Sequence, residues 1–149
     1  MVEKNITTEQ QKRANFALDR IGKQMVNGKL PKDLSQFIIG VPNMILSNGL
    51  GQTVAFILSK KDKTERKITY EIIRDYMKDK NAKLKSAADD FNFIKELNNL
   101  SQSEYFNMQQ EVLRMLLRPP LLLPQKPESL MNTYRLKNRY RFLRRLHQK

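Results

Sequence analysis

The residues best suited to chemistry lie mid-chain. Asn48-Gly49-Leu50-Gly51-Gln52-Thr53 is the glycine-rich stretch of this 149-residue sequence. A phosphate loop needs a Gly-Lys-Ser/Thr ending, which puts a lysine on the phosphates and a hydroxyl on magnesium, and that ending is missing. Gly49 and Gly51 begin a dinucleotide-type GxGxxG, but Val54 occupies the third glycine position, and Pro42 upstream argues against the buried strand such a fold requires. Close packing of a neighbouring helix explains the glycines better than a nucleotide does.

The acids form no catalytic set. Asp89 and Asp90 are adjacent, so on a helix they point about 100° apart and cannot face one substrate together. They suit a helix N-terminus, where the dipole favours negative charge. Glu71 and Asp75 have i,i+4 spacing but sit among Arg74 and Lys78, as expected of a solvated salt-bridge face. The chain has no cysteine and one histidine, His147. Thiolate ligands and disulfides are therefore excluded, and a His-centred metal site or Ser-His-Asp triad lacks its parts. The expectation is a protein that is not an enzyme, with no cofactor, no metal and no small-molecule substrate.

Charge points to a polyanionic partner instead. The formal charge is +13. Residues 1–113 carry 18 Lys+Arg and 14 Asp+Glu, whereas residues 114–149 carry ten and one. Such a cationic block favours nucleic acid first and an anionic membrane surface second. Within it, Tyr134 and Tyr140 alternate with Arg135, Arg139 and Arg141, a pattern that can stack on unpaired bases. Glu3 and Lys4 with no apolar segment after them give no export signal. The most apolar stretch, Phe37 to Leu58, is interrupted by Gly40, Pro42, Asn43, Ser47, Asn48, Gly49, Gly51 and Gln52, short of the ~20 apolar residues a membrane span needs. A cytoplasmic protein without membrane contact is expected.

The elements that must position these residues read as helices, since apolar residues recur at helical spacing and no alternating β-branched run appears. Thr7 or Thr8, with Gln10 or Gln11, caps a first helix whose stripe is Ala14, Ala17, Leu18, Ile21 and Met25, with Gly28 as a left-handed stop. Leu34, Phe37 and Ile38 predict a short second helix ended by Gly40 and Pro42. Pro42 then opens one long apolar helix to about Lys60, bearing Ile45, Leu46, Leu50, Val54, Phe56, Ile57 and Leu58. Gly49 and Gly51 cost roughly 1 kcal/mol each in its interior, offset by a kink, a break at Asn48-Gly49 or a close neighbour. A fourth helix starts near Thr64, with Ile68, Ile72, Ile73, Tyr76 and Met77 inward. Asp79 to Lys85 reads as loop. Ser86 with Asp89 caps a fifth helix carrying Phe91, Ile94 and Leu97, and Ser101 with Glu104 forms a capping box for a last one. The fold class is all-α: a compact bundle of five or six helices over residues 1–117, with a basic C-terminal extension over 118–149. In that extension Arg118-Pro119-Pro120 stops the last helix, and Glu128 to His147 forms a basic amphipathic helix.

The run from Val41 to Lys60, with its proline-led helix, Asn48-Gly49-Leu50, Gln52-Thr53 and an apolar stretch through Phe56 to Ser59-Lys60, resembles the signature of the small helical subunit of Cmr-type (type III-B) CRISPR effector complexes. Gln11, Arg13, Ala14 and Ala17 are similar to that family's first helix, and Tyr105, Glu111, Leu113 and Leu116 to its last. After Leu116 the sequence departs from the pattern. The tail is then a genuine extension or the product of an altered reading frame, which the mass of the native protein decides. The resemblance implies a non-catalytic subunit of an antiviral ribonucleoprotein, stacking with copies of itself and other Cmr subunits beside the guide–target RNA duplex. Asn48, Gly49, Gln52 and Phe56 are expected to be architectural. Lys12, Arg13, Arg20, Lys60, Lys61 and Lys63 are expected to contact phosphates. The alternative is a free-standing basic nucleic-acid-binding or regulatory protein whose tail supplies the affinity.

Overall fold

A computed structural model describes residues 7–117. The extension 118–149, with its expected helix and with Tyr134, Tyr140 and His147, lies outside the described residues. The described part is all-α and holds seven helices: α1 (Glu9–Gly22), α2 (Lys32–Asn48), α3 (Leu50–Ser59), α4 (Thr64–Lys80), α5 (Ala82–Lys85), α6 (Asp90–Asn98) and α7 (Gln102–Leu116).

Both expected capping boxes form. Thr8 Oγ1 accepts from the Gln11 N–H at 3.2 Å while Gln11 Oε1 accepts from the Thr8 N–H at 2.7 Å. Ser101 and Glu104 do the same for α7. Each box satisfies two amides that a helix start leaves without partners.

Elsewhere the boundaries differ from the sequence reading. α1 stops at Gly22, not at Gly28. Gly28 (φ 73) is left-handed, but it pairs with Asn27 (φ 51) in a tight turn whose flanks, Val26 and Lys29, bond each other at 2.9 and 3.0 Å. An Asn-Gly pair with both φ values positive is the residue choice such a hairpin turn demands. Leu18 and Met25, assigned to the buried stripe, are 46% and 40% exposed.

Pro42 does not open a helix; it lies inside α2, which runs unbroken through Gly40. A mid-helix proline costs ~3 kcal/mol through its missing N–H and its ring. Around it Leu34, Ile38, Val41 and Ile45 are buried, along with Pro42 itself, and that packing holds the helix together. The single long helix expected from Pro42 to Lys60 is instead broken at Gly49, whose φ of 81° and ψ of 164° no helix accommodates.

Asp79 to Lys85 is not loop. α4 continues to Lys80, and Asn81 caps the one-turn α5 by accepting from the Lys83 and Leu84 amides. Ser86 therefore ends α5 rather than starting a helix, and Asp89 caps α6 through the Asn92 N–H at 2.8 Å. The extra helices arise from short polar caps inside segments that periodicity reads as continuous or irregular.

α4 is the hub of the core. Tyr70, Ile73, Tyr76 and Met77 on it are fully buried, against Val41 and Ile45 of α2, Leu50, Val54 and Ile57 of α3, and Val112 of α7. Among the described residues the two buried polar ones, Thr53 and Thr69, bond the carbonyl four residues back, Gly49 O at 2.8 Å and Glu65 O at 2.7 Å, so neither hydroxyl is left without a partner. Leu46 and Phe91, read as core, are 65% and 77% exposed.

Candidate functional site

The glycine-rich stretch is two-faced. On its inner side the chain leaves α2 at Gly49 and restarts as α3, which exposes the first amides of a new helix with no side-chain cap of its own. Helix α7 supplies the acceptors. Gln109 Oε1 accepts from the Leu50 N–H at 3.0 Å, and the Tyr105 hydroxyl accepts from the Gly51 N–H at 2.7 Å. A Cβ on Gly51 would run into the Asn98 side-chain oxygen and stand 3.2 Å from the Tyr105 hydroxyl. Gly51 thus permits a close approach by α6 and α7, and Gly49 permits the backbone turn. With these amides bonded to α7, the phosphate-loop geometry is absent as well as its sequence.

On the outer side Asn48, Gln52 and Phe56 are all exposed. They follow one another at i, i+4 and i+8 across the break, and with Met44 and Thr53 they line an open cleft of about 320 Å³. Of the four motif residues expected to be architectural, Gly49 sits at the break between α2 and α3, whereas Asn48, Gln52 and Phe56 present their side chains to the surface.

Behind Phe56 lies a group that the sequence reading missed. The Arg66 guanidinium sits 5.4 Å from the Phe56 ring centroid and 5.0 Å from that of Phe37. Its Nε and Nη1 are buried without a hydrogen-bond partner among the described residues, and the nearest acid contact is Glu65 at 3.9 Å. Phe37, Phe56 and Arg66 come from three helices, so no spacing rule brings them together.

The six expected phosphate contacts also divide. Arg13 is not free: it grips Glu111 with both arms, at 2.9 and 2.7 Å, with its side chain only 15% exposed. Glu111 further accepts from the Tyr76 hydroxyl and from Arg114, each at 3.0 Å. Arg13 holds the Glu111 carboxyl far below the usual carboxylate range, at about 2, with Arg114 and Tyr76 assisting against partial burial. Burial first, and then the hydrogen bond to the Glu111 carboxylate, pushes the Tyr76 phenol up. This cluster ties α1, α4 and α7 together. Arg20 is likewise engaged, 3.0 Å from Asp75 and stacked over Phe16.

Lys12 pairs with Glu9 at 2.7 Å on an exposed surface. Lys61 pairs with Asp90 at 2.9 Å, and Asp90 also accepts from Tyr70 and Arg74. Partial burial pushes the Asp90 carboxyl up, but those three donors outweigh it and hold the group below its ordinary value. Lys60 and Lys63, in the connection between α3 and α4, are exposed and belong to no ion pair recorded among the described residues. Only these two of the six combine exposure with an uncommitted charge.

Among the described residues no three acidic, histidine or cysteine side chains are grouped to hold a metal ion, and no helix is long and apolar enough to cross a membrane. The model of the family described as CRISPR-associated protein (Cas_Cmr5) matches residues 9–117. The chain belongs to that family. It is a Cmr-type CRISPR-associated subunit, as the motif resemblance implied. Searches of curated proteins and of solved structures returned no match. The Cas_Cmr5 match begins at the first residue of α1 and ends one residue past α7, so the extension lies beyond it.

Proposed function

We propose that the chain is a non-catalytic structural subunit of a type III-B RNA-guided effector complex in the cytoplasm. Residues 1–117 act as the helical body and 118–149 as a separate basic extension. Copies stack beside the guide–target RNA, and other Cmr subunits perform the chemistry. The observation that carries this reading is the Cas_Cmr5 match over residues 9–117. The interior supports it: Glu111 bonds both Tyr76 and Arg13, a cluster that ties α1, α4 and α7 together.

Phosphate contact is assigned to Lys60 and Lys63, with Lys12 and Lys61 able to leave their exposed partners. Arg13 and Arg20 serve the fold. The test is incorporation of the full chain into the effector complex with tagged Cmr subunits, followed by target-RNA binding across a salt series. Lys60→Ala with Lys63→Ala reduces the slope of log affinity against log salt by ~0.7 per lost contact to single-stranded RNA, or ~0.9 to duplex. An unchanged slope rejects the assignment, and a chain that never enters the complex rejects the function.

The cationic extension outside the family match favours a second reading, a free-standing nucleic-acid binder. Deleting residues 118–149 separates the two. The free-standing binder loses nucleic-acid affinity altogether, whereas the effector subunit still enters the complex.

A further inference from the structure

We propose that the cleft on the outer side of the α2–α3 break docks an unpaired nucleotide base, with Phe56 as its stacking platform and Asn48 and Gln52 on the base edge. This deepens the effector-subunit reading and rests on it for the presence of RNA.

Three kinds of group converge there. The first is aromatic: Phe56 is 45% exposed although it belongs to an otherwise apolar helix, and it forms one wall of the cleft. The Arg66 guanidinium packs 5.4 Å from the ring centroid and holds the ring in place. The second is the pair of primary amides, each offering a donor and an acceptor, the combination that reads a base edge. Among the described residues no hydrogen bond uses either side-chain amide, so both are available. The third is charge beside the cleft: Lys60 continues the stripe one turn beyond Phe56 and Lys63 follows it, both exposed and in no ion pair among the described residues.

A purely apolar protein contact needs neither the amides nor two unpaired lysines. A bare phosphate contact needs neither the ring nor the amides. Aromatic face, amide edge and cation together match an unpaired nucleotide, whose base stacks, pairs at its edge and carries a phosphate. At about 320 Å³ the cleft has room for one base with its sugar outside.

The test uses the full chain and two single-stranded oligoribonucleotides of equal length, one bearing bases and one abasic, with affinities read by fluorescence anisotropy at several salt concentrations. The intact chain prefers the base-bearing oligomer. Phe56→Leu weakens binding to it by about 10-fold, the loss expected for one stacked base, while the abasic affinity and the salt slope stay unchanged. Asn48→Ala with Gln52→Ala also narrows the preference. Phe91→Leu, at an exposed aromatic elsewhere, leaves it intact. Circular dichroism confirms that each variant is folded, as surface positions allow.

Equal affinity for the two oligomers overturns the proposal. So does a Phe56→Leu chain that binds oligomers normally but no longer joins the Cmr subunits, which marks the cleft as a protein-docking face. Incorporation of the intact chain is scored separately. Base preference without incorporation defeats the effector-subunit reading and leaves the cleft assignment standing; incorporation without base preference defeats the cleft assignment alone.

Discussion

Gly40, inside α2, and Gly49, at the break after it, should respond in opposite directions to the same substitution. Gly49 holds φ 81° and ψ 164°, a region open to glycine and costing other residues of order 1–3 kcal/mol. Space is not the obstacle, since a Cβ there meets only the Tyr105 hydroxyl at 3.7 Å and Gln109 Oε1 at 4.0 Å. Gly49→Ala therefore destabilises through backbone strain, reduced by ~0.4–1 kcal/mol because alanine also restricts the unfolded chain. The net loss is about 1–2 kcal/mol. Gly40 lies inside α2 with no heavy atom within 4 Å of a built Cβ, so Gly40→Ala gains about 0.5–1 kcal/mol of helix propensity. Urea titration of the full chain, followed by circular dichroism, measures both as midpoint shifts at constant m. A semisynthetic chain with D-alanine at position 49, which accepts positive φ, should recover the loss. Equal stability of Gly49→Ala and the parent chain, or shifts of one sign for both substitutions, refutes the account of the break.

The remaining expectations concern the polar ties. Arg13→Ala leaves a largely covered Glu111 with weaker partners and costs about 2 kcal/mol, discounted from the 3–5 typical of fully buried pairs because the two side chains keep 15% and 23% exposure; Arg13→Lys, which loses the two-armed geometry, recovers part of it. The folded Glu111 carboxyl at about 2 lies below its ordinary value of 4.5, so its contribution is complete above 4.5 and is lost as pH falls through that window toward 2. Glu111→Gln should lower neutral stability and flatten the acid limb of a stability–pH curve between those limits. Tyr105→Phe removes the acceptor of the Gly51 amide and should cost about 1 kcal/mol by thermal melting, with the helix content of the folded chain unchanged.

The helical class was legible because its signals are local. Thr8–Gln11 and Ser101–Glu104 declare helix starts within four residues, and Ile72, Ile73, Tyr76 and Met77 mark one face of α4 without reference to anything distant. Pro42 misled because its local penalty is overridden by the packing of Val41 and Ile45, which no window around the proline reveals. The break at Gly49 was visible as a cost needing an offset. Its solution lies 54 and 59 residues away at Tyr105 and Gln109, far outside the window in which periodicity is read. The site followed the same rule. Spacing placed Asn48, Gln52 and Phe56 in one row but not on which side of the molecule it falls, and charge alone could not tell the committed Arg13 from the uncommitted Lys63.

The borrowed caps of α3 have an evolutionary corollary. Residues 49, 51, 98, 105 and 109 behave as tumblers of one lock: a bulkier side chain at 51 is admissible only with a smaller one at 98, and a lost hydroxyl at 105 only with a new acceptor for the same amide. Divergence along this lineage should therefore move those five positions in concert, while the neighbouring surface drifts at the pace set by whatever it touches.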